Sequence, residues 1–319
     1  MEVLLIPWVL LLLILLVAVC LLMKWSKTGV AIAIALLLVN WYWQVFSFGI
    51  CSLDKHKNPN CLRVMTWNIC CADSAGTDDV DGMLSAILGQ DADVVFLTEY
   101  SRNAKPEIDS LLSIHYPYKD DYPVWVMWGQ VYSRVPIDSC MRIGGEEDGY
   151  LFRFDVRFSD VKLPIYCLHL QSNNIIDGEQ FYPDSIADRG GIMRYLDNYK
   201  AASEIRREQA ELIVRDLTDD PRIVMGDMND VCGSPCMKVF AEAGLRDAWW
   251  ESGFGYGATI HKPLAYRIDH VLYSGGFSRF AGSKVSEGSG GMKLKGIKKV
   301  SSKGLSDHDA LVADFTLHR

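Results

Sequence analysis

Gly226-Asp227-Met228-Asn229 follows the apolar run Ile223 to Met225, which reads as a buried strand broken at Gly226. A carboxylate and an amide delivered there can address a water and a phosphate. Alone, the same residues are also ordinary turn formers. The arrangement recurs along the chain. Asn68 ends the run from Leu62 to Ile69, Glu99 follows Asp93 to Leu97, and His169 stands near the end of Leu163 to Leu170. Asp269 opens a run through Tyr273, and Asp307 and His308 directly precede Ala310 to Leu317.

Such a set matches what hydrolysis at phosphorus requires. Carboxylate oxygens can hold a hard divalent cation, which neutralises phosphate charge. A further carboxylate must orient or deprotonate a water for in-line attack. Neutral or cationic donors must hold the non-bridging oxygens and ease departure of the leaving oxygen. If the strands share one sheet edge, the scattered residues meet there.

The positioning elements alternate between strands and helices. Besides the runs already given, Asp79 to Leu88 reads as a helix. Val124 to Val131 reads as a Trp-rich strand, and Tyr150 to Phe158 pairs with Leu163 to Leu170 across a Ser159-Asp160 turn. Ile192 to Leu217 has apolar residues at helical spacing, and a short helix is expected near Cys236 to Ala243. The polar loop from Asn173 to Gly190, just after His169, is the expected recognition element. Lys293, Lys295, Lys298, Lys299 and Lys303 form a basic run before Ser306, suited to a solvated loop, an exposed strand face or an anionic ligand.

The first 50 residues differ. Val3 to Met23 and Gly29 to Ile50 are two apolar runs separated by Lys24 and Lys27, with Trp41, Tyr42 and Trp43 clustered as in an interfacial belt. The chain opens Met1-Glu2 without early cations, so a transmembrane hairpin over 1–50 is expected rather than a cleaved signal, followed by a linker at 51–61. Lys24 and Lys27 favour a cytoplasmic loop and an extracytoplasmic domain; Lys55, Lys57 and Arg63 pull the other way. The expected localisation is integral membrane and multi-pass, with the lipid bilayer a partner through residues 3–50.

The 319 residues leave room for a large core, and a net charge of −8 argues against a general nucleic-acid coat while permitting a nuclease. Cys51 with Cys61 and Cys232 with Cys236 bracket short loops that could close as disulfides in an oxidising compartment or remain thiols. A zinc reading of Cys232 and Cys236 lacks a second ligand pair.

Thr66-Trp67-Asn68, Leu97-Thr98-Glu99, Leu168-His169, Gly226-Asp227-Met228-Asn229, Arg267-Ile268-Asp269 and Leu305-Ser306-Asp307-His308 occur in one order. In that order they resemble the endonuclease/exonuclease/phosphatase superfamily, the deoxyribonuclease-I-like enzymes, over residues 62–319. The resemblance implies an α/β domain: a four-layer sandwich of two packed, mainly antiparallel β-sheets flanked by helices. It implies Glu99 as main ligand of Mg²⁺ (Mn²⁺ possible), with Asn68 beside it and Asp307 contributing from the far end. Asp227 is then the residue that activates water, Asn229 holds water or phosphate, and Asp269 orients His308. His169 donates to a phosphate oxygen or the leaving group, while Arg267 and Ser306 support.

Cys70 stands where the abasic-site repair branch carries an acidic residue, and His169 where it carries tyrosine, so base-excision repair is not expected. A membrane-anchored, metal-dependent phosphodiesterase, nuclease-like or sphingomyelinase-like, is the leading expectation. Its substrate is a phosphoester in a nucleic acid, a phospholipid headgroup or a sugar phosphate, and no obligate protein partner is evident. The alternatives are a phosphomonoesterase on an inositol phosphate or other soluble ester, and an idle membrane-tethered binding module. The last is expected to have lost Glu99, Asp227, Asn229 or His308, and all four are present.

Overall fold

Strand Cys61–Asn68 is buried along its whole length, which requires cover on both faces. Leu62 and Val64 face one apolar cluster, and Met65 and Trp67 face another. A sheet built around such a strand has a second layer on each side. The computed structural model describes residues 35–40, 44–49, 53, 57–70, 79–100, 106–119, 129–145, 148–173, 175–176, 179–180, 189–218, 221–261, 265–274 and 291–317.

Two short strand pairs stand apart from the main sheets: β1 (Ser47–Phe48) with β13 (Phe254–Gly255), and β9 (Ile175–Ile176) with β10 (Glu179–Gln180). The first six-stranded sheet runs, edge to edge, β15 (Met292–Val300), β16 (Ala310–Leu317), β2 (Cys61–Asn68), β3 (Val94–Thr98), β5 (Gly129–Ser133) and β4 (Tyr118–Lys119). The second runs β12 (Arg246–Asp247), β14 (Asp269–Tyr273), β11 (Ile223–Asp227), β8 (Val161–His169), β7 (Tyr150–Phe158) and β6 (Ile137–Arg142). Each has one parallel pair, β2 with β3 and β8 with β11, and antiparallel pairs elsewhere. Within each parallel pair the C-terminal ends lie side by side, β2 and β3 carrying Asn68 and Glu99, β8 and β11 carrying His169 and Asp227.

The sheets pack face to face through Val64, Phe96 and Leu311 from one and Phe154, Ile165, Met225 and Val271 from the other. Helices α1 (Val80–Leu88) and α2 (Pro106–His115) cover the outer face of the first sheet through Met83, Ile87, Ile108 and Leu112. On the second, α3 (Arg189–Asp216) and α4 (Pro235–Glu242) contribute Ala210, Ile213, Met237 and Phe240. The one-turn helix α5 (Ala248–Ser252) completes the described helices of the domain. The layering expected from the resemblance is therefore present.

Two readings of the sequence need correction, while the exposed strand face suggested for the lysine run is found. Gly226 does not break its strand, because β11 continues through Asp227 with Gly226 paired to both Leu168 and His270. Its φ of +142° is open to glycine, and a Cβ there would lie 1.9 Å from the Leu168 carbonyl oxygen. Helix α2 was absent from the sequence reading, although Pro106, the acidic first turn and Ile108 with Leu112 at i and i+4 all signal it. The lysine run lies largely on β15, whose free side is an edge; lysines there discourage edge-to-edge pairing.

The N-terminal boundary also shifts. Residues 35–40 are helical, but Val45 is buried and β1 pairs with β13, so 45–49 belong to the folded domain rather than to a span reaching Ile50. Among the described residues no helix is long and apolar enough to cross a membrane; the run from Val3 to Met23 lies outside them. Two of the cations that follow the second apolar run are held in ion pairs. Lys57 pairs with Asp93, and the buried Arg63 grips Asp314 through two bonds of 2.7 and 2.8 Å.

Candidate active site at the sheet junction

Asn68, Glu99, His169 and Asp227 come from the ends of β2, β3, β8 and β11, two from each sheet. The Asn68 amide nitrogen donates to Glu99 Oε1 and to Asp227 Oδ2, both at 3.0 Å, and so ties the sheets together. His169 Nε2 is 3.6 Å from Glu99 Oε1 and 3.9 Å from Asp227 Oδ2. Asn229 N donates to Asp227 Oδ1 at 2.8 Å, while its amide is spent on Leu170 O at 3.0 Å.

The opposite wall is built from β14 and β16. Asp269, at the register position opposite Asp227, accepts through Oδ2 from His308 Nδ1–H at 2.8 Å. His308 Nδ1 is also 4.0 Å from Asp227 Oδ2. The backbone just before β16 is fixed from below: Ser306 Oγ donates to Asn68 O at 2.7 Å, His308 N donates to Ser306 Oγ at 3.1 Å, and Trp67 Nε1 donates to His308 O at 3.0 Å. Ser306 thus supports the site as expected. Its reach across to Asn68 explains why Trp67-Asn68 and Ser306-Asp307-His308 occur together.

Charge and strain concentrate here. Burial, then the nearby Asp269 charge, push the Asp227 carboxyl above the usual carboxylate range, against the pull of His308 and His169. Burial opposes the charged His308 ring, but Asp269 and then Asp227 and Asp307 outweigh it and raise the imidazole to about 10. Glu99 and Asn229 hold φ of +51° and +50°, left-handed backbone that a side-chain-bearing residue adopts at a cost of about 1–3 kcal/mol.

A divalent cation fits the residues present. Ligand atoms of Glu99, His169 and Asp227 lie within 4.8 Å of one another, and the buried His169 Nε2 has no hydrogen-bond partner. The two carboxylates supply oxygen donors of the kind a hard ion accepts, and His169 beside them keeps Nε2 for a substrate oxygen.

Two expected metal ligands sit differently. The Asn68 oxygen accepts from Cys70 N at 3.0 Å, and its NH₂ faces the carboxylates, where it clamps Glu99 to Asp227. Asp307 is exposed and joins neither carboxylate–histidine group; its influence is the charge it exerts on His308.

Arg267 also differs from expectation. It is buried behind the site, donating to Asp247 Oδ2 at 2.6 Å, to Cys232 Sγ, and lying 2.9 Å from His270 Nδ1. Asp247 is held below the usual carboxylate range: burial opposes this, but Arg267 and His270 overcome it. Cys232, Asp247 and His270 are close enough for a metal, yet the guanidinium occupies the space between them and repels a cation. Cys232 and Cys236 are free thiols, the first turned to Arg267 and the second to Asp230, so that disulfide is not formed. Cys61 is a buried free thiol in β2, and its suggested partner Cys51 lies outside the described residues.

The sequence reading missed Arg206. From α3 its Nε donates to Asp230 Oδ2 at 3.0 Å, and Nη1 donates to Gln171 O at 2.9 Å and Asn173 Oδ1 at 2.8 Å. It thereby fixes the turn after Asn229 against the chain leaving His169. An arginine amid the Glu- and Arg-rich surface of a helix carries no sequence signal of burial. Most of the loop from Asn173 to Gly190 lies outside the described residues.

Comparison with curated protein sequences finds no match. Among solved structures, humanized D. rerio TDP2 is similar, with TM-score 0.56 at 17% identity over 80% of this chain and 99% of that one. SmcL gives 0.53 at 16% over 81% and 100%, and the human Nocturnin catalytic domain 0.52 at 17% over 83% and 97%. These likenesses establish the fold. The sequence model of the Endonuclease/Exonuclease/phosphatase family matches residues 65–308, a span that contains every strand end of the site. By that match and by the six ordered fragments the structure draws to one junction, this chain belongs to the Endonuclease/Exonuclease/phosphatase family.

Proposed function

We propose that this chain is a membrane-anchored, divalent-metal-dependent phosphodiesterase. The observation that carries the reading is the placement of the buried Asp227 carboxylate. It is held by Asn68 and by Asn229 N–H, and it is flanked by His169 at 3.9 Å and His308 at 4.0 Å.

Glu99 and Asp227 would hold the cation, with Asp307 available from the rim. Once bound, the ion supplies Lewis-acid polarisation and charge neutralisation at the phosphate. Asp227 accepts a proton from the attacking water as its oxygen bonds to phosphorus. The opposite phosphorus–oxygen bond breaks, and the leaving oxygen takes a proton from His169 Nε2. His308, with Nδ1 committed to Asp269, has Nε2 left to donate to a non-bridging oxygen, and its cationic form suits that anion. Asn229 N–H holds Asp227 in position.

The fold neighbours support oxyanion and diester binding. D. rerio TDP2 was solved with single-strand DNA product at TM-score 0.52, and the Nocturnin domain with a sulfate anion. The apolar runs Val3 to Met23 and Gly29 to Val39 support a bilayer anchor and, for a domain so tethered, a phosphoester held at or near the membrane.

The full chain in detergent, assayed on bis-p-nitrophenyl phosphate and p-nitrophenyl phosphate with Mg²⁺, Mn²⁺ or EDTA, tests the reading. Metal-dependent turnover that favours the diester supports it. Turnover of the monoester alone replaces it with a phosphatase, and no metal-dependent turnover on either overturns it.

A further inference from the structure

Phe48 and Phe254 are directly opposite in the β1–β13 pair, so their rings project from the same face, and they are 62% and 77% exposed. Two phenylalanines side by side in water are costly, and the surrounding backbone is built to keep them there. Ser47 Oγ donates to Gly253 O at 2.6 Å, with Trp250 O at 3.0 Å, and Gly49 N donates to Gly253 O at 2.7 Å. A Cβ on Gly49 would sit 2.4 Å from the Ser252 carbonyl carbon, and one on Gly253 would sit 2.4 Å from the Trp249 ring. Glycine at both positions lets the ribbon dock tightly while the phenylalanines face outward.

A second set of exposed apolar side chains lies a few residues earlier in the chain. Leu37, Leu38 and Val39 are all exposed in the helical segment 35–40. Asn40 staples that helix to the ribbon, donating to Phe46 O at 2.9 Å and accepting from Phe46 N at 2.8 Å. A helical segment apolar on successive exposed positions is suited to hydrocarbon rather than water. The sequence leading into it is apolar back to Gly29, and in sequence Trp41, Tyr42 and Trp43 follow it, residue types enriched at membrane interfaces.

We infer that the Phe48–Phe254 ribbon is a lipid-contacting surface that lays the catalytic domain against the bilayer. The inference deepens the anchored reading and rests on it. Its consequence for the site follows from connectivity. Phe254 precedes Ile260 by six residues, and Ile260 bridges to His308. At the full reach of an extended chain, the catalytic rim is within roughly 20 Å of the ribbon. Phosphoesters at headgroup level are then presented to a rim held at a fixed height, instead of to a domain swinging on a tether.

The test uses the full chain reconstituted in phosphatidylcholine vesicles, with p-benzoylphenylalanine at position 48 or 254. Position 114 is the control, because Ile114 on α2 is 73% exposed and apolar but remote in sequence from the ribbon. After irradiation, mass spectrometry identifies the adduct. Lipid adducts at 48 and 254, at least about fivefold above 114, are expected. Vesicle flotation without lipid adducts at 48 and 254 overturns the ribbon inference and leaves the anchor standing. Cross-links to another polypeptide instead of lipid overturn it in favour of a protein interface. Failure of the chain to float at all overturns both inference and anchor. None of these readouts depends on catalysis.

Discussion

His308 Nδ1 and Asp269 Oδ2 lie 2.8 Å apart across the seam between the two sheets, His308 just before β16 of one and Asp269 at the start of β14 of the other. The pair is therefore both an electrostatic unit and a structural one. Asp269→Asn keeps the shape and removes the charge that holds the imidazolium. Turnover of a phosphodiester is expected to fall roughly 10²–10⁴-fold, the range for loss of a positioned proton-handling group. A circular dichroism spectrum unchanged from wild type checks that the fold persists, and full activity in this variant removes His308 from the mechanism.

Asp227→Ala and His308→Ala should each reduce turnover to near background with the domain still folded. Cation binding separates their roles. Calorimetric titration with Mn²⁺ should weaken in Asp227→Ala, and more so in Glu99→Gln, but remain close to wild type in His308→Ala. Equal loss in all three would place His308 among the ligands.

Stability should vary with pH in a direction set by His308. Its folded value is raised to about 10 from an ordinary 6.5, so the charged pair with Asp269 stabilises the fold fully below about pH 6.5. That contribution is lost as pH rises through 10. Tm of the wild type should decline between pH 7 and 10, and the decline should flatten in His308→Gln. A profile unchanged by that substitution assigns the pH dependence to other groups.

Arg206 is wholly buried with Asp230, and removing one partner of such a pair leaves an uncompensated charge. Arg206→Ala should cost about 3–5 kcal/mol in urea unfolding. Arg206→Lys should restore part of the stability but not the two bonds to Gln171 and Asn173. Its kcat is expected below wild type, because Asn229 and His169 lose their common support.

Gly226→Ala tests the close approach of β11 to β8. The added methyl meets the Leu168 carbonyl, and the backbone φ is one that alanine avoids at about 1–3 kcal/mol before the clash is counted. A drop in Tm together with loss of activity is expected. Wild-type stability would mean that the strand can shift away without cost.

The chemistry of the site was legible because each residue stands beside an apolar run whose length and composition define a strand. Asn68, Glu99, His169, Asp227 and Asp269 are tied to strand ends by their own neighbours in the chain. Periodicity likewise marks β2, β3, β7, β8, β11, α1 and the amphipathic α3, since burial on one face or two leaves a local pattern. The roles of individual atoms leave no such trace. That Asn68 offers nitrogen rather than oxygen depends on Cys70 N–H, and Asp307 facing solvent depends on the turn into β16.

Residue types and order thus determine the family, the layered fold and the set of groups available for phosphoester chemistry. Tertiary structure decides which groups meet, because the contacts that matter span from Asn68 to Ser306 along the chain and from Asp227 to His308 between the sheets, and no local pattern encodes pairings so distant in sequence. It also decides where the domain begins. Val45 to Gly49 reads as apolar continuation of a span, yet its burial and pairing are fixed by a partner strand some 200 residues away.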